Sequence, residues 1–356
     1  MSERPVSDAR VSRRPLFSIL TSVFRTECYL TETIDSVLAQ TLPDWEMIVV
    51  DNGMSDEVVR IVERYADDPR IRLLRQENKG LGGGIDAAAA TATGRYFAVL
   101  DSDDLLMPEF CERTAAVLWA EPSIDVVGID AAVFTDGDSH DQIRSYRRSV
   151  GATAEVGLHR RVTLAEMVGG EVLYYTAAIR AEAWALGQGY SCDTPKVEDL
   201  ALFMRMLIAG CDIRVLNDRL ARYRLRTDSS SRGNDQVEMF EDSLERAFLK
   251  AAVISDAPDV ERALRSTLRR IRYDRSMRRA RVALLDDDVI TALIHARRAF
   301  AERRSARPAV VAAGLMVAPR MLKRIHPTKQ RITRFAVLMA RSARGFMRQG
   351  TRRSPT

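Results

Sequence analysis

Apolar and polar positions alternate between two periods along the first two-thirds of the chain. "LFSILTSV" (16–23) is a short apolar run of strand length, and in the following "YLTETIDSVLAQ" Leu30, Ile34, Val37 and Leu38 recur at helical spacing. "EMIVVDNG" (46–53) repeats the strand pattern and ends in turn residues, and "DEVVRIVERYA" continues as an amphipathic helix. Further strands are predicted at 70–76, 95–101 and 123–134, with a Gly- and Ala-rich segment that can be helical after Gly84. "EDLALFMRMLIAG" (198–210) predicts a helix that buries Leu202, Phe203, Met206 and Leu207 and stops at Gly210. Repeated βα units imply an α/β fold: a Rossmann-like, mostly parallel sheet flanked by helices, with right-handed crossovers. Ligands of such sheets bind beyond the carboxyl ends of the strands, and Asp51 and Asp101 both stand there, on one rim.

From 237 onward the period is helical almost throughout. Val260, Leu264, Leu268, Ile271 and Tyr273 form one stripe with arginines around it, and "RPAVVAAGLMVAPRMLKRI" and "RITRFAVLMARSARGFMR" are apolar-faced and basic. Charge follows the same division. Residues 241–356 hold 27 Lys and Arg against 11 Asp and Glu, a balance of +16, leaving −11 on residues 1–240 of a chain whose total is +5. An acidic body with a basic tail suggests two jobs, or an anionic partner for the tail. The polar stretch "RTDSSSRGND" (226–235) marks the boundary. The expected organisation is therefore a disordered segment at 1–15, a domain at 16–235 and an Arg-rich helical region at 236–356.

Composition excludes several classes. With 356 residues and 46% hydrophobic content the chain is globular, and Cys28, Cys111, Cys192 and Cys211 include no C-x-x-C pair that would suggest zinc or a disulfide framework. The basic N-terminus is followed by a strand-length apolar run, so no signal peptide is expected, and no run reaches a membrane span. These features predict a cytoplasmic protein, or one held peripherally on the cytosolic face of a membrane.

The strand at 95–101 ends in "DSDD". Carboxylates crowded at a rim are costly unless a cation neutralises them, and oxygen-only donors suit Mg²⁺ or Mn²⁺, which complete their shell with water and substrate phosphates. A nucleotide diphosphate is the expected ligand. The alternative is a solvated acidic turn at a helix start. The dipole of the helix at 198 is expected to hold Glu198 and Asp199 ionised.

Taken in order, "FSILTSVFRTECYLTETIDSVLAQTLPDWEMIVVDNGMSD", "NKGLGGGIDAAAATATGRYFAVLDSDDLLMPEF" and "VEDLALFMRMLIAGCDIRVLNDRLARYRLRTDSSS" resemble the successive motifs of glycosyltransferase family 2, inverting nucleotide-sugar transferases of GT-A fold, over about residues 16–231. "VVDNGMSD" resembles the family's V-V-D-D-G-S-x-D. This implies that Asp51 contacts the nucleotide base with Asn52 and Asp56 nearby, Asn52 replacing the usual second Asp. "DSD" resembles the D-x-D motif, implying that Asp101 faces the ribose or the metal and that Asp103 coordinates the metal. The same alignment of motifs puts Ser22, Phe24, Asn78 and Ser102 in the donor site. "VEDL" resembles the E-D motif, which implies that Asp199 is the general base, with Glu198 as the alternative. Inverting transfer needs one base to take the acceptor proton, and an ionised carboxylate meets that need.

The chain departs from the pattern in two places. Gly84, Ile85 and Asp86 stand where A-R-N is frequent, and Arg226 stands where a His is common. Arg226 could neutralise the diphosphate through its guanidinium fork; alternatively Arg224 and Arg226 are strand-edge surface residues. "NKGLGGG" could bring backbone N–H groups to a phosphate, or be a loose glycine-rich turn. Acceptor contacts would come from residues 125–195, where Tyr174, Tyr175 and Trp184 suit sugar rings or core packing. The acceptor implied is a glycan, glycolipid or lipid-linked hydroxyl. The tail suits an anionic membrane surface, an oligomer interface or packing on the catalytic domain, and lacks the interleaved aromatics and motifs of a nucleic-acid binder. Two functions stay open: a metal-dependent glycosyltransferase, and a catalytically silent protein that keeps the nucleotide site while its tail attaches it to membrane or partner.

Overall fold

The computed structural model describes residues 14–136, 144–152, 154–190, 193–226 and 234–324. Cys192, most of the polar boundary stretch, nearly all of the segment at 1–15 and the last basic segment, "RITRFAVLMARSARGFMR", lie outside the described residues. Two compact units emerge, Met1–Thr267 and Leu268–Thr356.

In the first unit the chain runs β1 (Phe17–Val23), α1 (Glu27–Leu38), β2 (Trp45–Asn52), α2 (Asp56–Glu63), β3 (Ile71–Gln76), α3 (Gly80–Thr91) and β4 (Tyr96–Val99). These four strands pair in parallel in the order β3-β2-β1-β4, as alternating βα units dictate. The rest is β5 (Leu105–Leu106), α4 (Phe110–Ala120), β6 (Val126–Phe134), β7 (Arg144–Ser145), α5 (Tyr146–Ser149), α6 (Leu164–Gly169), β8 (Thr176–Arg180), α7 (Ala181–Leu186), α8 (Glu198–Ile208), β9 (Ile213–Arg224) and α9 (Asn234–Ile254). Most paired residues lie in parallel pairs, as expected, and the antiparallel pairings are short. β8 inserts antiparallel between β4 and β6, β5 pairs antiparallel with β9 and β7 with β6, while β6 and β9 run parallel, so the nine-stranded sheet is mixed. The reason is that β8 follows β6 through loops and short helices that return the chain reversed, not through a crossover helix.

The core lies between sheet and helices, where Phe17, Ile19, Trp45, Met47, Val49, Tyr96, Ala98 and Phe110 are sealed. A polar knot sits in the same layer. Glu46 accepts from the hydroxyls of Ser18 (2.6 Å) and Thr93 (2.8 Å), from the Thr93 backbone N–H (2.7 Å) and from Arg72 (2.7 Å).

α3 corrects the reading of the glycine run. The segment is neither a loose turn nor a helix beginning after Gly84; the helix starts at Gly80 and contains all three glycines. A Cβ at Gly84 would stand 2.0 Å from Ser22 Oγ and 2.8 Å from Ser22 Cβ, so the missing side chain is what lets α3 settle onto β1.

α9, which the charge boundary assigned to the tail, packs on α8 and pairs Lys250 with Asp193. The division between the units falls inside α10 (Pro258–Leu285). In the second unit, α11 (Val289–Glu302) is capped by Asp288, which accepts from Thr291 N–H at 3.0 Å, and α11 packs on α12 (Ala306–Val317). Its core is small: Ala280, Ala283, Leu284, Ala292, Ala296, Ala312 and Leu315.

Candidate active site

The rim is made where β1, β2 and β4 end. Register places Asp51 on β2 beside Val23 of β1 and Arg75 of β3. Asp51 is fully buried; its carboxylate accepts from Ser55 N–H (3.0 Å) and from Arg75 Nε (3.0 Å), and Arg75 reaches on to the exposed Asp56 (3.1 Å). Arg75 is a residue the motif reading missed, although its place opposite Asp51 follows from strand pairing. Asn52 lies beside them, but its amide fastens the fold: it donates to Gly80 O (2.7 Å) and accepts from Gln76 (2.8 Å) and Lys79 N–H (3.1 Å). Ser22 is buried beneath α3, and Asn78 is an exposed residue that accepts from Gly80 N–H (2.9 Å). Phe24 is 42% exposed and lies over Gly53, where a Cβ would come within 2.9 Å of its ring. The adjoining Arg25 and Met54 take left-handed φ values of 59° and 56°, a strained backbone on both sides of this contact.

The turn after β4 carries the three carboxylates in three settings. Asp101 is recessed. Ser102, buried, shares a 2.7 Å hydrogen bond with Thr26. Asp103 pairs with Arg226 (2.8 Å) and its backbone carbonyl accepts from Arg224 Nε (2.8 Å). Asp104 points inward, accepting from Arg224 N–H (2.6 Å) and the Tyr175 hydroxyl (2.5 Å); burial, then repulsion from Asp101 and Asp103, pushes its carboxyl well above the usual range. Asp104 thus fixes the turn, and the strand-edge surface reading of Arg224 and Arg226 is overturned. Arg224 is buried, bridging Glu32 (2.7 Å) and Asp136 and lying over Tyr29 and Phe134, and Arg226 also lies over Tyr29, 5.0 Å from its centroid.

α8 brings Glu198 and Asp199 to the same place from the other half of the sheet. Burial, then the charges of Asp103, Asp199 and Glu198, raises the Asp101 carboxyl to about 7. Burial raises Glu198 to about 7, with Asp199 adding to the effect. Asp199 is raised by burial, against hydrogen bonds from the Leu200 and its own backbone N–H groups. Burial thus opposes the helix dipole, which favours the charged form of both carboxylates. Buried tyrosines stand within electrostatic reach of Asp199. The charge of Asp199 acts on Tyr146, Tyr174 and Tyr190, all of which are raised first by burial. Tyr174 is wedged against Gly128 and Phe203, and its buried hydroxyl has no hydrogen-bond partner among the described residues. Trp184 stacks on Tyr190 and meets Phe97 edge-on, a packing use. Tyr146 and Tyr190, missed by motif, carry no sequence signal beyond being aromatic.

Among the described residues no three His, Cys, Asp or Glu side chains converge as a metal cage. The donor chemistry nonetheless fits a hard divalent ion. Asp101 and Asp103 offer the one or two carboxylates that Mg²⁺ or Mn²⁺ uses beside substrate phosphates, and Arg226 already stands on Asp103 as a stand-in cation.

The mixed α/β fold is shared with solved structures. It matches S. aureus TarS 1–349 in complex with UDP-GlcNAc at TM-score 0.59 and 18% identity, over 88% of this chain and 92% of that one. It also matches the mannosyltransferase PcManGT from Pyrobaculum calidifontis in complex with GDP-Man and Mn²⁺ at TM-score 0.57 and 16% identity, over 88% and 84%. Residues 18–179, a little under half of the chain, match the family model Glycosyl transferase family 2. Relatives include the putative glycosyltransferase EpsE of Bacillus subtilis, 29% identical over 61% of this chain and 75% of that protein, and the chondroitin synthase of Escherichia coli, 27% identical over 58% of this chain. The chain spans only 28% of the length of the chondroitin synthase.

Proposed function

We propose that the first unit moves a sugar, with inversion, from a nucleotide diphosphate to a hydroxyl of a glycan, glycolipid or cell-envelope polysaccharide. The observation that carries this reading is the match of residues 18–179 to the Glycosyl transferase family 2 model, with Asp51 at the end of β2 and the Asp101–Asp104 turn directly after β4. On this reading the turn after β4 binds the donor and the start of α8 supplies the base.

In this reading Asp51, oriented by Arg75 and Ser55, holds the nucleoside below Phe24, with Asp56 at the edge and Ser102 supporting the turn. Asp101 and Asp103 would hold Mg²⁺ or Mn²⁺, which when bound stabilises charge developing on the departing diphosphate. Asp199 accepts the proton of the acceptor hydroxyl as its oxygen attacks the anomeric carbon in line with the leaving group. The upward shift that burial gives Asp199 makes it a stronger base than an exposed carboxylate. Glu198 is the alternative base. Uridine or thymidine diphosphate is the nucleotide part proposed; TarS with UDP-GlcNAc and PcManGT with GDP-Man support the class of donor.

Calorimetric titration of UDP and dTDP, with and without Mn²⁺, tests this on the full chain and on Asp103→Ala. Metal-dependent binding lost in the variant is expected; no binding under any condition would overturn the reading. The commitment of Asn52 to Gly80, Gln76 and Lys79 favours one second reading, a catalytically silent nucleotide-binding protein. Metal-dependent donor hydrolysis separates the two. For the basic helices we propose peripheral contact with an anionic membrane surface. No helix among the described residues is long and apolar enough to cross a membrane.

A further inference from the structure

We propose that the transferred sugar is uncharged and that Tyr190 and Glu198 read its hydroxyls, so that a donor bearing a sugar carboxylate is refused. This rests on the reading of the rim as a nucleotide-sugar site.

Tyr190 lies between α7 and α8 and is held there firmly. The chain enters it through Gln188 and Gly189, both at left-handed φ (61° and 64°); for Gln188 that backbone is strained and persists only where the surroundings fix it. They do so from several sides. The Tyr190 N–H donates to Asp86 Oδ1 of α3 (2.8 Å), Arg205 of α8 donates through Nε to Gly187 O (2.6 Å) and through Nη2 to Gly189 O, and the Tyr190 ring stacks on Trp184 with centroids 5.6 Å apart. Tied in this way, Tyr190 meets Glu198 at Gly82. A Cβ on Gly82 would stand 3.5 Å from Tyr190 Cβ, 3.4 Å from Glu198 Cγ and 3.9 Å from Glu198 Oε1, so the start of α3 brings the two side chains together while adding none of its own.

In-line transfer puts the anomeric carbon between the diphosphate at Asp101 and Asp103 and the acceptor oxygen at Asp199. Tyr190 stands toward both ends: burial first, then the charges of Asp199, Asp101, Glu198 and Asp86, raises its phenol well above the usual range. A protonated phenol donates a hydrogen bond and a carboxylate accepts one, and a sugar hydroxyl does both. The same groups suit an anion badly. Glu198, Asp199 and Asp86 are carboxylates, and Arg205 is committed to the carbonyls of Gly187 and Gly189. Burial outweighs the charge of Lys196 on Glu198, which stays raised to about 7. A uronate entering beside Glu198 loses its water and gains like charges as neighbours, whereas a neutral sugar trades water for hydrogen bonds.

The test is calorimetric titration of the full chain with Mn²⁺ present, using UDP, UDP-glucose, UDP-galactose and the matching uronates UDP-glucuronate and UDP-galacturonate; if dTDP binds and UDP does not, the series is built on dTDP. Each neutral donor differs from its uronate at C6 alone. Wild type should bind a neutral donor about tenfold or more tightly than its uronate. Tyr190→Phe, which keeps the ring on Trp184, should weaken that neutral donor about fivefold while its affinity for the bare nucleotide holds. Glu198→Gln should strengthen uronate binding by about threefold or more, a gain that damage to the fold does not produce. Near-UV circular dichroism verifies that both variants are folded. Equal binding of a neutral donor and its uronate, tighter binding of the uronate, or binding of no sugar nucleotide while the bare nucleotide binds overturns the inference and leaves the donor site standing. So does a folded Tyr190→Phe protein that binds the neutral donor as wild type does, or that loses donor and bare nucleotide alike. Failure of both UDP and dTDP to bind wild type overturns the donor-site reading and this inference with it.

Discussion

The two units solve opposite electrostatic problems. Residues 268–356 contain 23 Lys and Arg against 5 Asp and Glu, a balance of +18, and the rest of the chain carries −13. In the first unit charge is drawn inward: Asp51, Asp104 and Glu198 are buried and Asp101 is recessed, against a core of large side chains such as Trp45, Tyr96 and Phe110. In the second unit Arg297, Arg298, Arg303, Arg304 and Arg307 are exposed around a core made largely of alanine. A large core can hold carboxylates at raised pKa values, which is what chemistry needs; a thin one keeps its charges in water and offers them to a partner.

The sharpest way to break the comparison is to remove the base. Asp199→Asn should lower donor-dependent transfer by roughly 10²–10⁴-fold with donor affinity kept, and Glu198→Gln by less. Equal losses in both, measured as kcat at saturating donor, would reassign the base. Stability comes next. Glu46→Gln leaves the donors of Ser18, Thr93 and Arg72 facing an amide, and should cost roughly 2–3 kcal/mol in denaturant unfolding. Gly84→Ala drives a methyl into Ser22 and should cost about 1–3 kcal/mol.

Titration sharpens the contrast within the first unit itself. Burial would raise the carboxyl of Glu46, but the hydrogen bonds from Ser18 and Thr93 and the charge of Arg72 bring it below its usual range. Its contribution is therefore present above the ordinary carboxylate pKa and is lost as pH falls through the lowered one. Asp101 has the reverse sign. Raised to about 7, it favours the folded state while protonated, and stability declines as pH climbs from about 4 toward 7. Asp101→Asn should thus raise the melting temperature of the ligand-free protein at pH 8, by ~2–4 °C, with little change at pH 4. The same variant should lose metal-dependent UDP binding. A lowered melting temperature at pH 8 would mean that Asp101 is already neutralised.

Much of this was legible in the sequence. Strand ends at Asp51 and Asp101 and the buried face of α8 follow from periodicity, because a half-buried element repeats at its own pitch. What was not legible depended on contacts distant in sequence. Arg75 reaches Asp51 through strand pairing, and Tyr175 reaches Asp104 across 71 residues. The antiparallel entry of β8 shows no local pattern that differs from a parallel strand, since both are buried on two faces. The upward shifts of Glu198 and Asp199 were hidden for a related cause: a dipole can be inferred from position in a helix, whereas desolvation depends on what the rest of the chain packs over it.

The smallest expected effect lies in the second unit. Ile290, Val310, Val317 and Met321 are 75%, 66%, 85% and 62% exposed, and arginines 297, 298, 307 and 320 stand among them on the same helices or just beyond. Side chains of this kind insert shallowly beneath anionic headgroups, and each basic residue near such a surface contributes about 1 kcal/mol. Arg297→Glu or Arg298→Glu should therefore lower partition onto phosphatidylserine-containing vesicles by roughly fivefold per lost charge or more, in low salt, and Val317→Asp by a similar factor. None of the three should alter UDP binding, since the carboxylate rim belongs to the first unit. Partition that is indifferent to vesicle charge, to salt and to all three substitutions would take the membrane away as the partner of the basic helices, and a concentration-dependent change in sedimentation would then assign that surface to a second copy of the chain.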